Sequence, residues 1–144
     1  MNEIKYFVVI LTAGKNPEII EREVSEEDTG MDMYRLAEKT LGYSHAELVR
    51  PVGFMGKYGF FVSETSVIDD LPINFYASAL YGTEDHHQPI CGDAMVIRLA
   101  NNGNDPELMR KKDTPEVKRM IRASEMRFMT KMNEVFKRYR GEIK

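Results

Sequence analysis

Residues 5–11 read KYFVVIL and form the most strand-like stretch of the chain. Their apolar members are β-branched or aromatic and follow one another without alternation, as in a strand that is buried on both faces. Turn residues follow at 13–17 (AGKNP), and residues 18–24 (EIIEREV) have the character of a second strand. The pattern predicts a hairpin whose first strand is central in its sheet.

The segment after this hairpin predicts a short helix. Met33, Leu36 and Leu41 lie at helical spacing, and acidic residues that suit a first helical turn precede them. Gly42 follows and can end a helix in the left-handed conformation. We therefore expect a helix at about residues 30–41.

A second hairpin and a closing strand are predicted farther along the chain. Residues 47–54 contain Pro51 and have the pattern of an edge strand or a bulged strand. A glycine-containing turn connects them to residues 60–64, which are again strand-like. The remaining pieces are one or two helical turns, a polar loop and a last strand, at residues 73–80, 81–91 and 94–100.

The tail of the chain carries the strongest periodic pattern. Asp113 and Thr114 before Pro115 are typical of a helix start. Residues three and four positions apart then form one stripe, apolar except for Ser124: Val117, Ile121, Ser124, Phe128, Met132, Val135 and Tyr139. A helix over residues 115–139 would be roughly 37 Å long, against a radius of gyration near 13 Å for the preceding residues. We therefore expect the helix to overhang and to need a partner, most simply a second copy.

These elements predict one α+β fold. The 144 residues are enough for a domain that folds without disulfides or metals. We expect a small, mostly antiparallel or mixed sheet of about five strands with one short helix, plus a long C-terminal amphipathic helix.

The charge is divided unevenly at Pro106. Residues 1–105 carry 8 basic and 17 acidic residues and have a net charge of −9, whereas residues 106–144 carry 12 and 6 and have a net charge of +6. We therefore predict an acidic α+β domain at 1–105 and a basic helical extension at 106–144. The basic helix can bind its own acidic body, a second copy, or a foreign partner.

Four strings of the sequence carry a family resemblance: KYFVVIL, MDMYRLAEKTLGYSHAELV, LPINFYASALYGT and ICGDAMVIRL. Over about residues 3–100 the chain resembles a family of small domains of unknown function that are found in bacteria and their phages. The resemblance implies an α+β architecture and frequent carriage on mobile elements. It implies no activity. The basic tail and the Asp85-His86-His87 insertion depart from the pattern of this family.

The polar loop at residues 84–93 offers candidate metal ligands. His86, His87, Cys91 and Asp93 have the side chains that bind zinc. Adjacent histidines point in different directions from most backbones, and neither a CxxC nor an HExxH motif is present. A solvated loop is the alternative interpretation, and it leaves the protein without a cofactor.

Two other residues have both a structural and a functional interpretation. Asn74 follows Leu-Pro-Ile and can fix a turn through its amide; a ligand pocket between this segment and the last strand is the other possibility. Cys91 precedes an apolar strand and fits a small buried residue. As a nucleophile it would need a base, such as His86 or His87, and an oxyanion site.

The sequence favours a non-enzymatic protein-interaction module that uses the C-terminal helix. Phe128, Met132 and Phe136 are its predicted apolar anchors, with Arg122 and Arg127 beside them. One alternative is a nucleic-acid-binding accessory protein that uses the basic helix. The other is a metal-binding or small-ligand-binding domain that uses the 84–93 loop.

The composition indicates a reducing compartment and no membrane. A single cysteine excludes an internal disulfide framework. The apolar run at residues 6–11 is too short for a signal sequence, and no stretch reaches the roughly 18 apolar residues of a spanning helix. We expect the protein in the cytoplasm, either of a bacterium or of a cell that hosts a phage.

Overall fold

The computed structural model describes residues 4–66 and 68–139, and of His86 and residues 132–139 it describes the backbone alone. Over these residues the chain has the predicted α+β architecture, with an open and mostly antiparallel sheet. Across the same residues, no helix combines the length and the apolar character that crossing a membrane requires.

The main sheet has five strands in the order β2-β1-β5-β4-β3, and each neighbouring pair is antiparallel. The strands are β1 (Tyr6–Leu11), β2 (Ile19–Glu23), β3 (Ala46–Val49), β4 (Tyr58–Ser63) and β5 (Ala94–Ala100). Both predicted hairpins, β1–β2 and β3–β4, are present, and β1 is central because it lies between β2 and β5. β3 is an edge strand, and Pro51 lies beyond its end, before a 3₁₀ turn at Val52–Phe54.

β1 and β5 pair with each other over part of their lengths only, and two further strands lie in the fork between their other ends. They are β6 (Asp105–Glu107) and β7 (Met109–Arg110). At Arg98, β5 pairs with Tyr58 of β4 on one edge and with Glu107 of β6 on the other edge. β1 is paired in the same way, with β2 on one edge and β7 on the other. The change of composition at Pro106 therefore falls inside a strand of the sheet that contains β1.

Helices cover both faces of the sheet. They are α1 (Met33–Leu41), α2 (Phe75–Tyr81), α3 (Thr83–His86) and α4 (Thr114–Tyr139). The face under α1 is lined by Val8, Ile10, Phe61, Met95 and Ile97. The face under α2 and α4 is lined by Val9, Leu11, Phe60, Val62 and Val96. Because the strands bury both faces, β1 is apolar without alternation.

The ends of α1 are fixed by its capping residues. The Asp32 carboxylate accepts hydrogen bonds from the backbone N–H groups of Tyr34 and Arg35. Gly42 ends the helix with a φ of 76°, a conformation that suits glycine. The helix begins later than predicted because the acidic residues Glu26–Asp28 form a separate 3₁₀ turn, and Asp32 is the N-cap.

The first half of α4 packs on the sheet through part of the predicted stripe. Its buried members are Val117, Ile121, Ser124 and Phe128. Ser124 interrupts the apolar pattern because α4 lies close to Gly53 in the Val52–Phe54 turn. A Cβ at Gly53 would lie 3.0 Å from the carbonyl oxygen of Leu80 and closer still to Ser124 Oγ. Only a small side chain fits between the helix and this turn.

Candidate functional site

Ion pairs hold the basic helix against the acidic body. Glu21 on β2 faces α4, and the Nζ of Lys118 lies 3.3 Å from its Oε1. Lys111, just before α4, pairs with the other oxygen of the same carboxylate. Two basic residues of the tail therefore pair with an acidic residue of the body in the same chain. Binding of the basic helix to its own acidic body is one of the alternatives that the charge division predicts.

The same contacts change the titration of Glu21. Its hydrogen bond with Lys111 is the main cause that lowers the pKa of the Glu21 carboxyl from 4.5 to about 2, with further lowering by Thr114 and Lys118 and opposition from partial burial. The folded state therefore keeps this carboxylate charged at pH values where the unfolded chain would protonate it.

Replacing Glu21 by glutamine is expected to lower the free energy of unfolding at pH 7 by about 1 kcal/mol. Because folding lowers the pKa, the contribution of Glu21 is complete above the unfolded-state value of 4.5 and is lost as the pH falls toward about 2. Urea unfolding of both proteins at several pH values between 7 and 2.5 measures this. As a control, Glu23→Gln removes a more exposed carboxylate, 3.8 Å from Lys5, and should have less than about half the effect. A difference for Glu21→Gln that does not change with pH would contradict the assignment.

Phe128 lies inside the molecule, where the sequence predicts an anchor for a partner. Its side chain is 8% exposed, and its ring centroid lies 5.4 Å from that of Phe75 on α2, in an edge-to-face arrangement. Edge-to-face aromatic pairs stabilise the elements that carry them. In this structure Phe128 is therefore a core residue that holds α4 on α2.

The two predicted arginines contact groups of their own chain. The Nη1 of Arg122 lies 3.1 Å from Glu125 Oε1, and its guanidinium lies over the ring of Tyr76 at 5.8 Å. The Nε of Arg127 lies 3.4 Å from Glu84 Oε1. Both side chains are half-exposed or more, so each can take part in a further contact at the surface.

Glu84 is the first residue of the predicted 84–93 loop, and its burial is not predicted from the sequence. Its side chain is only 1% exposed, and its Oε2 is the buried side-chain atom that lacks a hydrogen-bond partner among the described residues. An unpaired buried oxygen of this kind typically destabilises a fold by about 1–3 kcal/mol. No local pattern predicts the pairing of Glu84 with Arg127, because Arg127 follows 43 positions later.

Exposed residues of α4 lie on both sides of Phe128, and Met126 before it is 73% exposed. Met129 is 48% exposed, and Thr130 and Lys131 are exposed as well. Lys131 Nζ lies 3.8 Å from Asp85 Oδ1. The backbone of α4 continues to Tyr139, and we call residues 129–139 the distal segment. The side chains of the predicted anchors Met132 and Phe136 lie outside the described residues.

The candidate metal ligands of the 84–93 loop that the structure describes have different surroundings. His87 is exposed and ends α3 with a φ of 61°. Asp93 instead accepts a hydrogen bond of 2.8 Å from the backbone of Ala13. Among the described residues, no three His, Cys, Asp or Glu side chains form a group that could hold a metal ion. The side chain of His86 lies outside these residues.

Cys91 lies just before β5, outside the named strands. It forms an antiparallel bridge with Ile73 and is partly buried. Burial, with a smaller effect of Asp70, raises the pKa of the Cys91 thiol. A raised pKa disfavours the thiolate, which is the nucleophilic form.

Asn74 connects three segments of the core. Its side-chain oxygen accepts a hydrogen bond of 2.9 Å from the N–H of Ala77 and so caps α2. Its amide group donates to the carbonyl oxygens of Leu11 and Gly92, at 2.8 and 2.9 Å. All of its polar atoms are thus used inside the fold, which supports the structural interpretation.

Comparison of the chain with protein-family models, with curated proteins and with solved structures gave no match. The resemblance of residues 3–100 to small bacterial and phage domains therefore stays a prediction.

Proposed function

We propose that the protein is a non-enzymatic interaction module that self-associates through the distal segment of α4. The observation that carries the proposal is the register of the apolar stripe: Met132 and Val135 continue, at helical spacing, the positions of the buried residues Ser124 and Phe128. The backbone of α4 continues for about three turns past Phe128.

The distal segment is rich in apolar residues. They are Met129, Met132, Val135, Phe136 and Tyr139. Met132, Val135 and Tyr139 follow Phe128 at helical spacing and thus continue the register of the buried stripe. An apolar stripe that extends beyond its own core favours contact with another apolar surface.

The charges favour a second copy as the partner. The chain carries a net charge of −9 in residues 1–105 and +6 in residues 106–144. The pairing of Glu21 with Lys111 and Lys118 already joins these two surfaces within one molecule. Lys137 and Arg138 are further basic residues of the same helix, and an acidic body of a second copy would complement their charge.

A cytoplasmic location agrees with this proposal. The chain has one cysteine, and Cys91 is free, as is usual in a reducing compartment. A bacterium or a phage host would supply that compartment if the resemblance of residues 3–100 holds.

Replacing Val135 by glutamate is expected to weaken self-association at least about tenfold, because it places a charge within the apolar stripe. Sedimentation equilibrium of the full chain over a range of concentrations measures the association constant. The wild-type protein should show a mass above that of one chain at micromolar concentrations.

The matched control is Asn133→Glu, which adds the same charge to a position outside the stripe. It should leave the association constant within about twofold of the wild type, and thermal unfolding should show that both variants are folded. A wild-type protein that stays monomeric at all concentrations would refute the proposal. Equal weakening by the two variants would also refute it, since the stripe would then have no special role.

A further inference from the structure

The sheet ends at β2 with an open strand edge. β2 is the outermost strand on its side of the sheet. The N–H of Val24 donates to the carbonyl oxygen of Tyr6 at 2.8 Å, so the even-numbered residues of β2 direct their backbone groups toward β1. The backbone N–H and C=O groups of the odd-numbered residues point outward, and among the described residues nothing bonds to them: Ile19, Glu21 and Glu23.

The same edge carries a charge pattern that complements itself. Ile20 packs in the apolar cluster under α1, and side chains two positions apart share a face of a strand. Glu18 and Arg22 therefore lie on either side of Ile20 on this face. Both are exposed, and neither side chain has a partner within the described part of the chain. Read in opposite directions, the order acid, apolar, base becomes base, apolar, acid, so an antiparallel copy places opposite charges together.

We propose that β2 pairs with β2 of a second copy, antiparallel and centred on Ile20. This contact goes beyond the proposed function, because it uses the edge of the sheet and not the distal segment. Glu18 then lies opposite the partner's Arg22, and Ile20 lies opposite its own copy. Ile19 and Glu21 exchange about four backbone hydrogen bonds across the two-fold axis. Opposite charges and apolar side chains directly across an antiparallel pair stabilise it.

The charges select this register over its neighbours. Centring the pair on Glu21 or on Arg22 places that residue opposite its own copy, and like charges directly opposite each other destabilise a strand pair. Centring on Ile20 instead places Glu21 opposite the partner's Ile19. The Glu21 carboxylate is already balanced there by Lys111 and Lys118 of its own chain.

A disulfide across the two-fold axis tests the pairing directly. In the full chain with Cys91→Ser, which removes its single cysteine, Ile20→Cys places two thiols at a non-hydrogen-bonded position. The Cα separation of about 4.5 Å at such positions suits a disulfide. With oxidised glutathione as the oxidant, a covalent dimer should form at least about tenfold faster than for Glu47→Cys. Glu47 is exposed on β3, the opposite edge strand, and is the matched control.

The register is tested by exchanging the two charges in the Ile20→Cys variant. Glu18→Arg and Arg22→Glu should each slow cross-linking at least about fivefold, and both together should restore it to within about twofold. Arg35→Glu, an exposed charge change on α1, should leave the rate within about twofold. Thermal unfolding checks that the variants are folded. Sedimentation equilibrium of the same charge variants with Ile20 intact should give the same order of association.

The outcomes separate this inference from the proposed function, because the cross-link reports on β2 and Val135→Glu reports on the distal segment. If Ile20→Cys cross-links no faster than Glu47→Cys, the edge pairing is overturned, and the proposed function is judged by Val135→Glu alone. Fast cross-linking that is lost and recovered with the charges supports the edge pairing, even if Val135→Glu has no effect. Fast cross-linking that ignores the charges would overturn the assigned register.

Discussion

Replacing Asn74 by alanine is expected to lower the free energy of unfolding by about 4 kcal/mol, a large effect for a single polar substitution. Asn74 is fully buried, and its amide satisfies two carbonyl oxygens and one N–H group. Each buried polar group that loses its partner destabilises the fold by about 1–3 kcal/mol. Loss of the cap on α2 contributes to the same sum.

Urea unfolding at pH 7 measures this effect, with Asn16→Ala as the control. Asn16 is exposed in the turn between β1 and β2, so its replacement should change stability by less than about 0.5 kcal/mol. Asn74→Asp should be at least as destabilising as alanine. A carboxylate cannot donate to the oxygens of Leu11 and Gly92, and it would bury a charge beside them. If Asn74→Ala lowered the free energy of unfolding by less than about 1 kcal/mol, the three hydrogen bonds of Asn74 would contribute little to stability.

Replacing Phe128 by alanine is expected to lower the free energy of unfolding by about 3–4 kcal/mol. The substitution removes a ring that packs on Phe75 at 5.4 Å and leaves a cavity between α4 and α2. Met129→Ala, one position along, removes a side chain that is 48% exposed. It should destabilise by less than about 1 kcal/mol.

The comparison decides between two roles for Phe128. Chemical unfolding at low protein concentration reports the stability of the single chain, and sedimentation reports its association. A core role predicts a large loss of stability for Phe128→Ala even in the monomer. If the variant is as stable as the wild type and only its association fails, Phe128 is the partner-binding anchor that the sequence predicts.

Most elements could be predicted because local residue chemistry agrees with the final fold. The apolar run of β1, the glycine at the end of α1 and the proline at the start of α4 each act within a few residues. β6 and β7 were missed for the opposite reason. Asp105, Pro106 and Glu107 have no strand character of their own, and they pair only because the fork between β1 and β5 leaves free edges.

The candidate site was predicted only in part because periodicity does not show where a core ends. Phe128 and Met132 occupy equivalent positions of one stripe in the sequence. Phe128 is buried because α2, which carries Phe75, packs against α4 at this position, whereas the side chain of Met132 lies outside the described residues. The burial of Glu84 and its pairing with Arg127 could not be predicted for a similar reason, since the crossing of α3 and α4 brings the two residues together.

The filling of the fork by β7 has a consequence for synthesis on the ribosome. Phe7 pairs with Met109, about 100 residues later in the chain, and translation at roughly 5–20 residues per second needs about 5–20 s to reach it. During that interval the first strand emerges with one edge incompletely paired, and such edges recruit other chains. Completion of the sheet is thus a late event that depends on the C-terminal third of the chain, and nascent chains released before Met109 should be the species that chaperones or proteases collect.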